Sequence, residues 1–487
     1  MAERPRLHSA YDPRREALRF IEAQEALRRA HPSCILLLGA GEGHVFKAIK
    51  ERFPDIPVIR IFYDPEPASQ AEGAEPFWYP GTSETVEGFL SRHIHDTLVP
   101  GLVVLEWPPS ARIWPETSRT TRDLVAQFVR ERTGTILTSL HSGRRWLRNL
   151  VRNTLIFDTY YLPDTPPPEI LVAASGPSLT TLLPSLTRTP YHLWALPSSL
   201  AALSAHRIRP HAAVATDGSP YARLHLSHLP PDTPLFAPLT AALTPHARLI
   251  PLSLHSPLEQ ALLSLLPLPH IRLGPHGTVA GTALLLALSL GATRILTAGL
   301  DLAILPPWQH VRPHTFDPLI ETAATRTTPL LHLRHTPILL HTRPIPGTPW
   351  HTTESLTTYA GWFASHPPSP SHTLIRINPS PHPFPHWKTT PTLPEPTTTP
   401  HPLHLTPHPA PPLPTRRRAL GGLLHLLEER TLLAPDDPRF TELGFLLGGP
   451  PFRHLLTPPV TLEKTHTFRE AVRTFFDTLR HTYGLDT

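Results

Sequence analysis

Short apolar runs, each about the length of one strand, alternate with helical segments over most of the chain. Runs such as 34–38 (CILLL) and 169–174 (EILVAA) show no polar face, so both of their faces must be covered. Crossover helices between parallel strands provide that cover. The pattern therefore predicts an α/β fold with a Rossmann-like, doubly wound and mostly parallel sheet in the central part of the chain.

The positions of these runs divide the 487 residues into four predicted parts. Residues 1–160 are predicted to form a smaller α/β domain, and residues 161–380 the central Rossmann-like domain. Pro recurs every few residues with Thr and His over 381–415, which is typical of a stiff linker. Helical periodicity returns over 416–487 and predicts an α-helical C-terminal domain.

Composition argues against several classes of protein. The net charge of +5 is small for this length and the Arg residues are scattered, so we expect no nucleic-acid partner. The start of the chain lacks the apolar core of a secretory signal, and Gly and Arg interrupt the apolar stretch 278–305. We therefore expect a cytoplasmic protein without a membrane partner. The 32 His and 65 Pro fit a codon bias, and without paired Cys/His spacing we expect no metal site.

Two strand–turn–helix junctions are candidates for binding a phosphate. The first is the turn Gly39–Gly43 (GAGEG), with Asp64 at the end of the next predicted strand. Glycines permit a close backbone approach and a helix N-terminus favours an anion. The spacing is G-x-G-x-G rather than G-x-G-x-x-G, so a tight structural turn and a nucleotide site both stay open.

The second junction is Ser175-Gly176-Pro177-Ser178-Leu179. Gly176 removes the Cβ at the turn, and Pro177 presets the backbone angle at the start of the helix. Ser178 offers a hydroxyl beside free backbone N–H groups. On these grounds the junction is either a helix cap or an anion site.

The second junction opens a series of motifs that resembles a known family. GPSL (176–179) follows a buried strand, TDG (216–218) ends a later one, and GTVAGTALLLALSLGATRILTAGLDLA (277–303) comes next. From about 168 to 380 the series resembles the bacterial motility accessory factor family, which shares its core with the archaeal hydroxymethylpterin pyrophosphokinases. The resemblance implies a glycosyltransferase that attaches nonulosonic, sialic-acid-like sugars to Ser or Thr of flagellin.

A more distant resemblance, to bacterial sialyltransferases that use CMP-sialic acid, implies roles for individual residues. Those enzymes also run a strand into GPSL, follow a Gly-rich turn with an Ala/Leu helix, and end the next strand in G-x-D. An Asn precedes GPSL in them, whereas Ser175 stands here. The resemblance implies that Gly176, Pro177 and Ser178 contact the donor phosphate. It also implies that Gly277 and Thr278 approach the donor and that Asp301 lies at the switch point. It further implies that His351 is a general base and that Asn378 contacts the cytidine.

Other positions are candidates because of their place in the predicted fold. Asp217 and Gly218 end a parallel strand, where such sheets bind ligands, and Asp217 is a second candidate catalytic residue unless it only caps the next turn. Ser198 and Ser199 are predicted to cap a helix, where they can also touch a nucleotide base. Arg312 is a candidate for the donor carboxylate or phosphate, and the alternative is a solvated loop residue.

The leading hypothesis is transfer of a nonulosonic sugar from a CMP-activated donor to a Ser/Thr hydroxyl of a protein such as flagellin. It needs no cofactor, and the C-terminal helices would hold the acceptor. A second hypothesis is diphosphate transfer from Mg-ATP to a hydroxymethylpterin, for which Asp217 and Asp301 are the nearby carboxylates. A third hypothesis is a non-catalytic module that binds a nucleotide or a flagellar protein.

Two further points stay open from the sequence. His310 can line the same cleft as Arg312. The chain can also form a homo-oligomer.

Overall fold

The computed structural model describes residues 6–29, 32–65, 68, 73–164, 167–245, 248–274, 276–365, 369, 371–378, 380–398, 403–435, 437–449 and 462–485. The chain forms two compact units. Unit 1 consists of Met1–Arg144 and Leu424–Thr478, and unit 2 of Arg145–Leu423 and Leu479–Thr487. This division differs from the four predicted parts, because most of the C-terminal helical segment belongs to the same unit as the N-terminal segment.

Unit 1 contains a parallel sheet of four strands among the residues that the structure describes. The strands are Cys34–Leu38 (β1), Val58–Ile61 (β2), Phe77–Trp78 (β3) and Leu102–Glu106 (β4), in the order β3-β2-β1-β4. Every residue of β1 is buried, as its uninterrupted apolar run predicts. The chain leaves β1 towards β2 and later returns to the other side of β1 as β4. The carboxyl ends of β1 and β4 therefore flank a topological switch point.

Helices cover both faces of the unit 1 sheet and complete the unit. Those wholly within it are Pro13–Ala23, Glu25–Arg29, His44–Arg52, Val86–His93, Pro108–Ile113 and Pro438–Leu447, with a 3₁₀ turn at Asp96–Gly101. Three longer helices include a boundary between the units: Pro115–Ile156, Leu413–Thr431 and Leu462–Tyr483.

Unit 2 is built on a sheet of eleven strands within the described residues. The strands are Thr159–Pro163 (β5), Glu169–Ala173 (β6), His192–Ala195 (β7), Ala212–Val214 (β8), Leu235–Pro238 (β9), Leu249–Ser253 (β10), Ile271–Arg272 (β11), Arg294–Ala298 (β12), Thr373–Ile377 (β15), Lys388–Thr390 (β16) and Leu405–Pro409 (β17). Their order in the sheet is β16-β15-β12-β6-β7-β8-β9-β10-β5-β17, and β11 pairs with β10. Neighbouring strands run parallel, except that β17 pairs antiparallel with β5. Arg343–Pro344 (β13) and His351–Thr352 (β14) form a separate antiparallel pair.

The strand order confirms the predicted Rossmann-like, mostly parallel sheet. From β6 the chain builds outward through β7, β8, β9 and β10, and then returns to the other side of β6 as β12. A topological switch point therefore lies between the carboxyl ends of β6 and β12, where sheets of this kind bind ligands. One buried apolar cluster, which includes Ile170, Trp194 and Leu286, packs the helices onto this sheet.

Helices lie between many of the strands of unit 2 along the chain. Those wholly within unit 2 are Leu179–Leu186, Leu200–Ala205, Ala222–Leu226, Pro257–Leu265, Val279–Ser289, Asp317–Thr322, Leu330–His341 and Glu354–Ser365, with a 3₁₀ turn at Pro197–Ser199. No helix among the described residues is both long and apolar enough to cross a membrane.

The segment 381–415, interpreted from its Pro content as a linker, contributes two strands to the unit 2 sheet. β16 pairs with β15 and β17 pairs with β5, and both new strands lie at sheet edges. Pro407 and Pro409 lie within β17. Proline lacks an N–H and is tolerated in an edge strand, so a Pro-rich stretch can still add a strand there.

Candidate functional site

The second Gly-containing junction lies directly at the switch point of unit 2. Ser175-Gly176-Pro177-Ser178 follow β6 and lead into the helix Leu179–Leu186. Asp301 follows β12, the neighbour of β6, and is 2% exposed. The structure thus brings together the GPSL turn and the acid that the resemblance associated with it.

Backbone amides of this turn are already bonded within the protein. Gly176 N donates to Gly299 O at 2.8 Å, Leu179 N to Gly176 O at 3.0 Å, and Thr180 N to Pro177 O at 3.1 Å. The expectation of free N–H groups beside Ser178 is wrong for these positions.

The remaining amide of the turn, Ser178 N, donates to Asp301 Oδ2 at 2.8 Å, and the Ser178 hydroxyl donates to Asp301 Oδ1. A carboxylate therefore occupies the position at the start of the helix where an anion would bind. Burial raises the pKa of Asp301, and its two hydrogen bonds from Ser178 oppose that rise.

Gly176 is required here because the switch-point acid comes so close. A Cβ on Gly176 would lie 2.6 Å from Gly299 O and 2.6 Å from Asp301 Cγ. Neither neighbour can retreat cheaply, because Gly299 O accepts the Gly176 amide and Asp301 is held by Ser178.

Asn378 follows β15 and also contacts this turn. Its amide Nδ2 lies 3.0 Å from Thr181 Oγ1 and 3.4 Å from Ser178 O, to which it donates. Its φ of +66° is in the left-handed region, which Asn tolerates better than most residues. Asn378 is thus near the GPSL turn, but its side-chain amide is engaged in holding the turn.

Asp217 and Gly218 lie at the carboxyl end of β8 and have structural partners. Asp217 is exposed, and its carboxylate accepts bonds from Ser219 N at 2.8 Å and Ser219 Oγ at 2.7 Å. These bonds correspond to the alternative role of Asp217, in which its side chain caps the turn that follows. Gly218 is buried against Trp146, whose Cδ1 would lie 2.5 Å from an added Cβ, and Gly218 O accepts from Asn149 Nδ2 at 3.0 Å.

Ser199 does not cap a helix in the predicted way. Its hydroxyl donates to Ala173 O at 3.0 Å and to Leu196 O at 2.8 Å, so it ties the end of β7 to the end of β6. No side-chain cap bond is made at the start of the helix Leu200–Ala205. Ser198 is half-buried in the preceding 3₁₀ turn.

Thr278 caps the helix Val279–Ser289. Its Oγ1 accepts from Gly281 N at 2.9 Å, and its own amide donates to His276 Nδ1 at 3.0 Å. Gly277 is exposed, and an added Cβ would lie 3.3 Å from the Tyr359 ring. These contacts account for Thr278 as a helix cap and for Gly277 as a close approach to Tyr359.

Arg312 lies in the loop after β12, where two carboxylates hold it. Its Nε is 3.3 Å from Asp317 Oδ2 and its Nη2 is 3.9 Å from Glu321 Oε1. The guanidinium also lies 4.1 Å from the centre of the Trp308 ring. Arg312 is therefore not the solvated loop residue of the alternative interpretation, but its charge is already compensated.

His351 begins β14, beside the segment that follows Asp301. Its backbone pairs with Ile304 through two hydrogen bonds of 2.8 Å each. Its ring Nδ1 lies 2.9 Å from Thr342 Oγ1, which fixes the orientation of the imidazole. The second ring nitrogen, Nε2, is the atom that would take part in proton transfer.

Three histidines that the motif comparison did not bring together meet at this edge. His310 Nδ1 lies 3.4 Å from Ser175 Oγ. The His310 ring stacks on His314 with centroids 4.6 Å apart, and His225 lies 5.2 Å from His314. His225 comes from a helix after β8 and the other two from the loop after β12, so no local spacing in the sequence could have grouped them.

Burial keeps these imidazoles neutral at ordinary pH. It lowers the pKa of His310 to about 4 and that of His314 to about 3, and the neighbouring imidazoles add to the effect. The pKa of His225 is also lowered, chiefly by burial. Among the described residues, no group of three or more His, Cys, Asp or Glu side chains is arranged to hold a metal ion.

In the first Gly-containing junction, which lies in unit 1, other side chains of the unit pack close to the glycines. Gly39, Gly41 and Gly43 have φ values of +62°, +60° and +90°. A Cβ on Gly39 would lie 2.6 Å from Ser110 Cβ, and one on Gly41 would lie 2.9 Å from His8 Nε2. The tight structural turn accounts for all three glycines.

Comparison with known proteins places these features in a family context. Residues 144–306 match the family model of 6-hydroxymethylpterin diphosphokinase MptE-like proteins. This match covers the GPSL turn and Asp301, so the similarity of this part of the chain to the hydroxymethylpterin pyrophosphokinase core, which its motifs predicted, is confirmed.

Two individual proteins are similar to larger parts of the chain. The solved structure of MAf glycosyltransferase from Magnetospirillum magneticum AMB-1 is similar with a TM-score of 0.54 and 13% identity, over 98% of this chain and 84% of that one. An uncharacterized protein of Treponema pallidum (strain Nichols) is 32% identical over 305 residues, which are 61% of this chain and 64% of the relative. The chain thus shares the fold of that MAf glycosyltransferase, and it spans somewhat less than two thirds of the Treponema relative.

Proposed function

We propose that the protein is a glycosyltransferase that moves a nonulosonic sugar from a CMP-activated donor to a Ser or Thr hydroxyl of a protein, such as flagellin. The observation that carries the proposal is the joining of the GPSL turn, Asp301 and Asn378 at the switch point, within a fold shared with a MAf glycosyltransferase. This is the edge at which such a sheet binds a ligand.

The transfer has two chemical requirements. The glycosidic bond to the donor phosphate breaks, so negative charge on the departing CMP must be stabilised. The acceptor hydroxyl must lose its proton as its oxygen attacks the sugar, which requires a general base. Under the proposal His351 is that base: Thr342 orients its ring, and Nε2 receives the proton. Asp301 and Ser178 would shape the turn against which the donor lies rather than exchange protons.

The family model points to a second candidate reaction, diphosphate transfer from Mg-ATP to a hydroxymethylpterin. A Mg²⁺ ion bound by the protein usually needs one or two carboxylates, with substrate phosphates and water as its other ligands. Asp301 accepts two hydrogen bonds from Ser178, and Asp217 accepts two from Ser219. Asp301 and Asp217, the carboxylates that the sequence suggests for this reaction, thus do not fit a Mg²⁺ site as they stand, which favours the glycosyltransferase.

The two reactions can be separated by ligand binding and by turnover. Thermal stabilisation is measured with CMP, CDP and ATP, each with and without Mg²⁺. The proposal expects stabilisation by CMP without a metal, and transfer from a CMP-activated nonulosonate to a Ser/Thr-containing flagellin. Stabilisation by Mg-ATP alone would favour the diphosphokinase. A response to none of them would favour a module that binds a protein partner.

A variant of the candidate base tests the mechanism. His351→Gln should lower the transfer rate by about 10² or more, as expected for loss of a general base, while CMP still stabilises the protein. The control is His341→Gln, which changes an exposed imidazole at the end of the helix Leu330–His341. Equal transfer rates for His351→Gln and the unchanged protein would remove His351 from the mechanism.

A further inference from the structure

The GPSL turn alone does not supply the positive potential that a donor phosphate needs. Its amides at Gly176, Ser178 and Leu179 already donate to partners within the protein. The Asp301 carboxylate at the helix start adds a negative charge in the place where an anion would otherwise lie. If this edge binds a phosphate, other donors must hold it.

Arg312 and Arg334 are unsuitable sources of that potential here. Asp317 accepts from Arg312 at 3.3 Å and from Arg334 at 3.1 Å, and Glu321 Oε1 lies 3.2 Å from Arg334 Nη2. This is a closed network of two cations and two carboxylates, in which each charge is compensated. The imidazoles beside Ser175 remain as donors that can also gain a positive charge.

The three imidazoles are packed so closely that a positive charge on one ring disfavours a charge on its neighbours. His310 and His314 are nearly parallel, with 17° between their ring planes. His314 Nε2 is buried and makes no hydrogen bond within the described part of the chain. His225 Nδ1 lies 3.0 Å from Thr315 Oγ1, which positions the third ring. A buried polar nitrogen without a partner is costly, and an anion that accepts a hydrogen bond from it would relieve that cost.

The charged groups that face the imidazoles make protonation depend on a ligand. Asp217 and His228 act on His225 with opposite signs. Asp317 faces His310 and His314, but its charge is compensated by Arg312 and Arg334. The charge of Asp317 therefore does little to favour the imidazolium, and burial disfavours it.

We propose that His310, backed by His314 and His225, forms the subsite for the anionic group of the donor beside Ser175, and that this subsite takes up a proton as the anion binds. This inference rests on the proposed function, since it assigns the donor's charge to these residues. When the anion arrives, its charge favours the imidazolium, one ring nitrogen gains a proton from solvent, and the N–H groups donate to the anion. After transfer, loss of that proton would weaken the hold on the released CMP.

Two probes test this inference in the full-length protein. Sulfate is an anion that does not titrate in the range used, and CMP adds the nucleoside. Affinities are measured by calorimetry between pH 7.5 and 5.5, in pairs of buffers with different ionisation enthalpies. We expect sulfate to bind at least tenfold more tightly at pH 5.5 than at pH 7.5. We also expect its binding enthalpy to change with the buffer, because protons are taken up.

Variants assign the proton to the cluster. His310→Gln and His314→Gln keep a hydrogen-bonding side chain but cannot gain a charge, so each should flatten the pH dependence of the sulfate affinity. His386→Gln changes an exposed imidazole elsewhere in unit 2 and should leave it unchanged. A circular dichroism spectrum and an unfolding curve for each variant show that it is folded.

The outcomes separate this inference from the proposed function. Binding of CMP with equal enthalpies in both buffers and unchanged affinity in His310→Gln would overturn the inference and leave the glycosyltransferase proposal in place. Proton-linked sulfate binding without CMP binding would support the subsite and reject the CMP donor. Failure of both probes to bind would overturn the anion subsite.

Discussion

The two strand–turn–helix junctions, Gly39–Gly43 in unit 1 and Ser175–Leu179 in unit 2, follow similar strands but use glycine for different reasons. In the first, the backbone turns through three left-handed positions, and only glycine adopts these at low cost. In the second, Gly176 leaves room for the Asp301 carboxylate of a neighbouring strand. Glycines that a turn needs for its own path carry little information about ligands, whereas one that admits an acid at a switch point marks a candidate site.

Buried imidazoles lie beside both junctions, and their titration should produce the largest difference. Burial lowers the pKa of His8 beside Gly41, and it lowers the pKa of His310 to about 4 and of His314 to about 3 from the ordinary 6.5. Below pH 6.5 the unfolded chain therefore takes up protons that the folded chain refuses. Stability falls as the pH drops towards about 4, by at most about 1.4 kcal/mol per pH unit for each imidazole.

Urea unfolding at pH 6.5 and pH 5 measures this loss. The double variant His310→Gln/His314→Gln should reduce the loss by about 2–3 kcal/mol, and His8→Gln should reduce it by less, because it removes one group instead of two. His386→Gln, an exposed imidazole, is the control and should change nothing. The same loss of stability in the double variant and in the unchanged protein would contradict the assignment.

Steric crowding at Gly176 should give the next largest effect. Gly176→Ala places a Cβ 2.6 Å from Gly299 O, a backbone atom, and should lower the free energy of unfolding by about 3 kcal/mol. The control is Gly361→Ala in the helix Glu354–Ser365, where an added Cβ meets nothing within 4 Å and should raise stability by about 0.5–1 kcal/mol. Urea titrations of both variants at pH 7 test the pair. If Gly176→Ala changed the free energy of unfolding as little as Gly361→Ala, the switch point would be able to widen. Asp301 would then be held less tightly than its hydrogen bonds imply.

The sequence predicted the architecture well for a physical reason. Continuous apolar runs such as Cys34–Leu38 and Glu169–Ala173 can be covered only on both faces, which specifies parallel strands between helices. The edge strand β17 was missed because Pro-rich sequence normally argues against a strand. That argument concerns central strands, and β17 pairs on one side only.

The candidate site was only partly predictable. The GPSL turn and Asp301 come from motifs, and the structure joins them. The motifs could not show that the carboxylate of Asp301 would take the Ser178 amide, because that contact joins residues 123 positions apart. The grouping of His225 with His310 and His314 likewise depends on the order of β8 and β12 in the sheet. Because the chain contains 32 His, the composition also gives no sign of this particular group.

A substitution at Gly43 should give the smallest loss of stability, and it separates the effect of backbone strain from that of crowding. Gly43 has a φ of +90°, and an added Cβ meets nothing within 4 Å, so Gly43→Ala tests conformation without crowding. We expect a loss of about 1 kcal/mol from the left-handed backbone alone. Gly43→Asn should cost less, because Asn visits this region more readily than Ala. Gly39→Ala adds the contact of 2.6 Å with Ser110 Cβ and should cost more than either. If Gly43→Ala were as costly as Gly176→Ala, backbone strain alone would cost as much as crowding, and the distinction between the two junctions would fail.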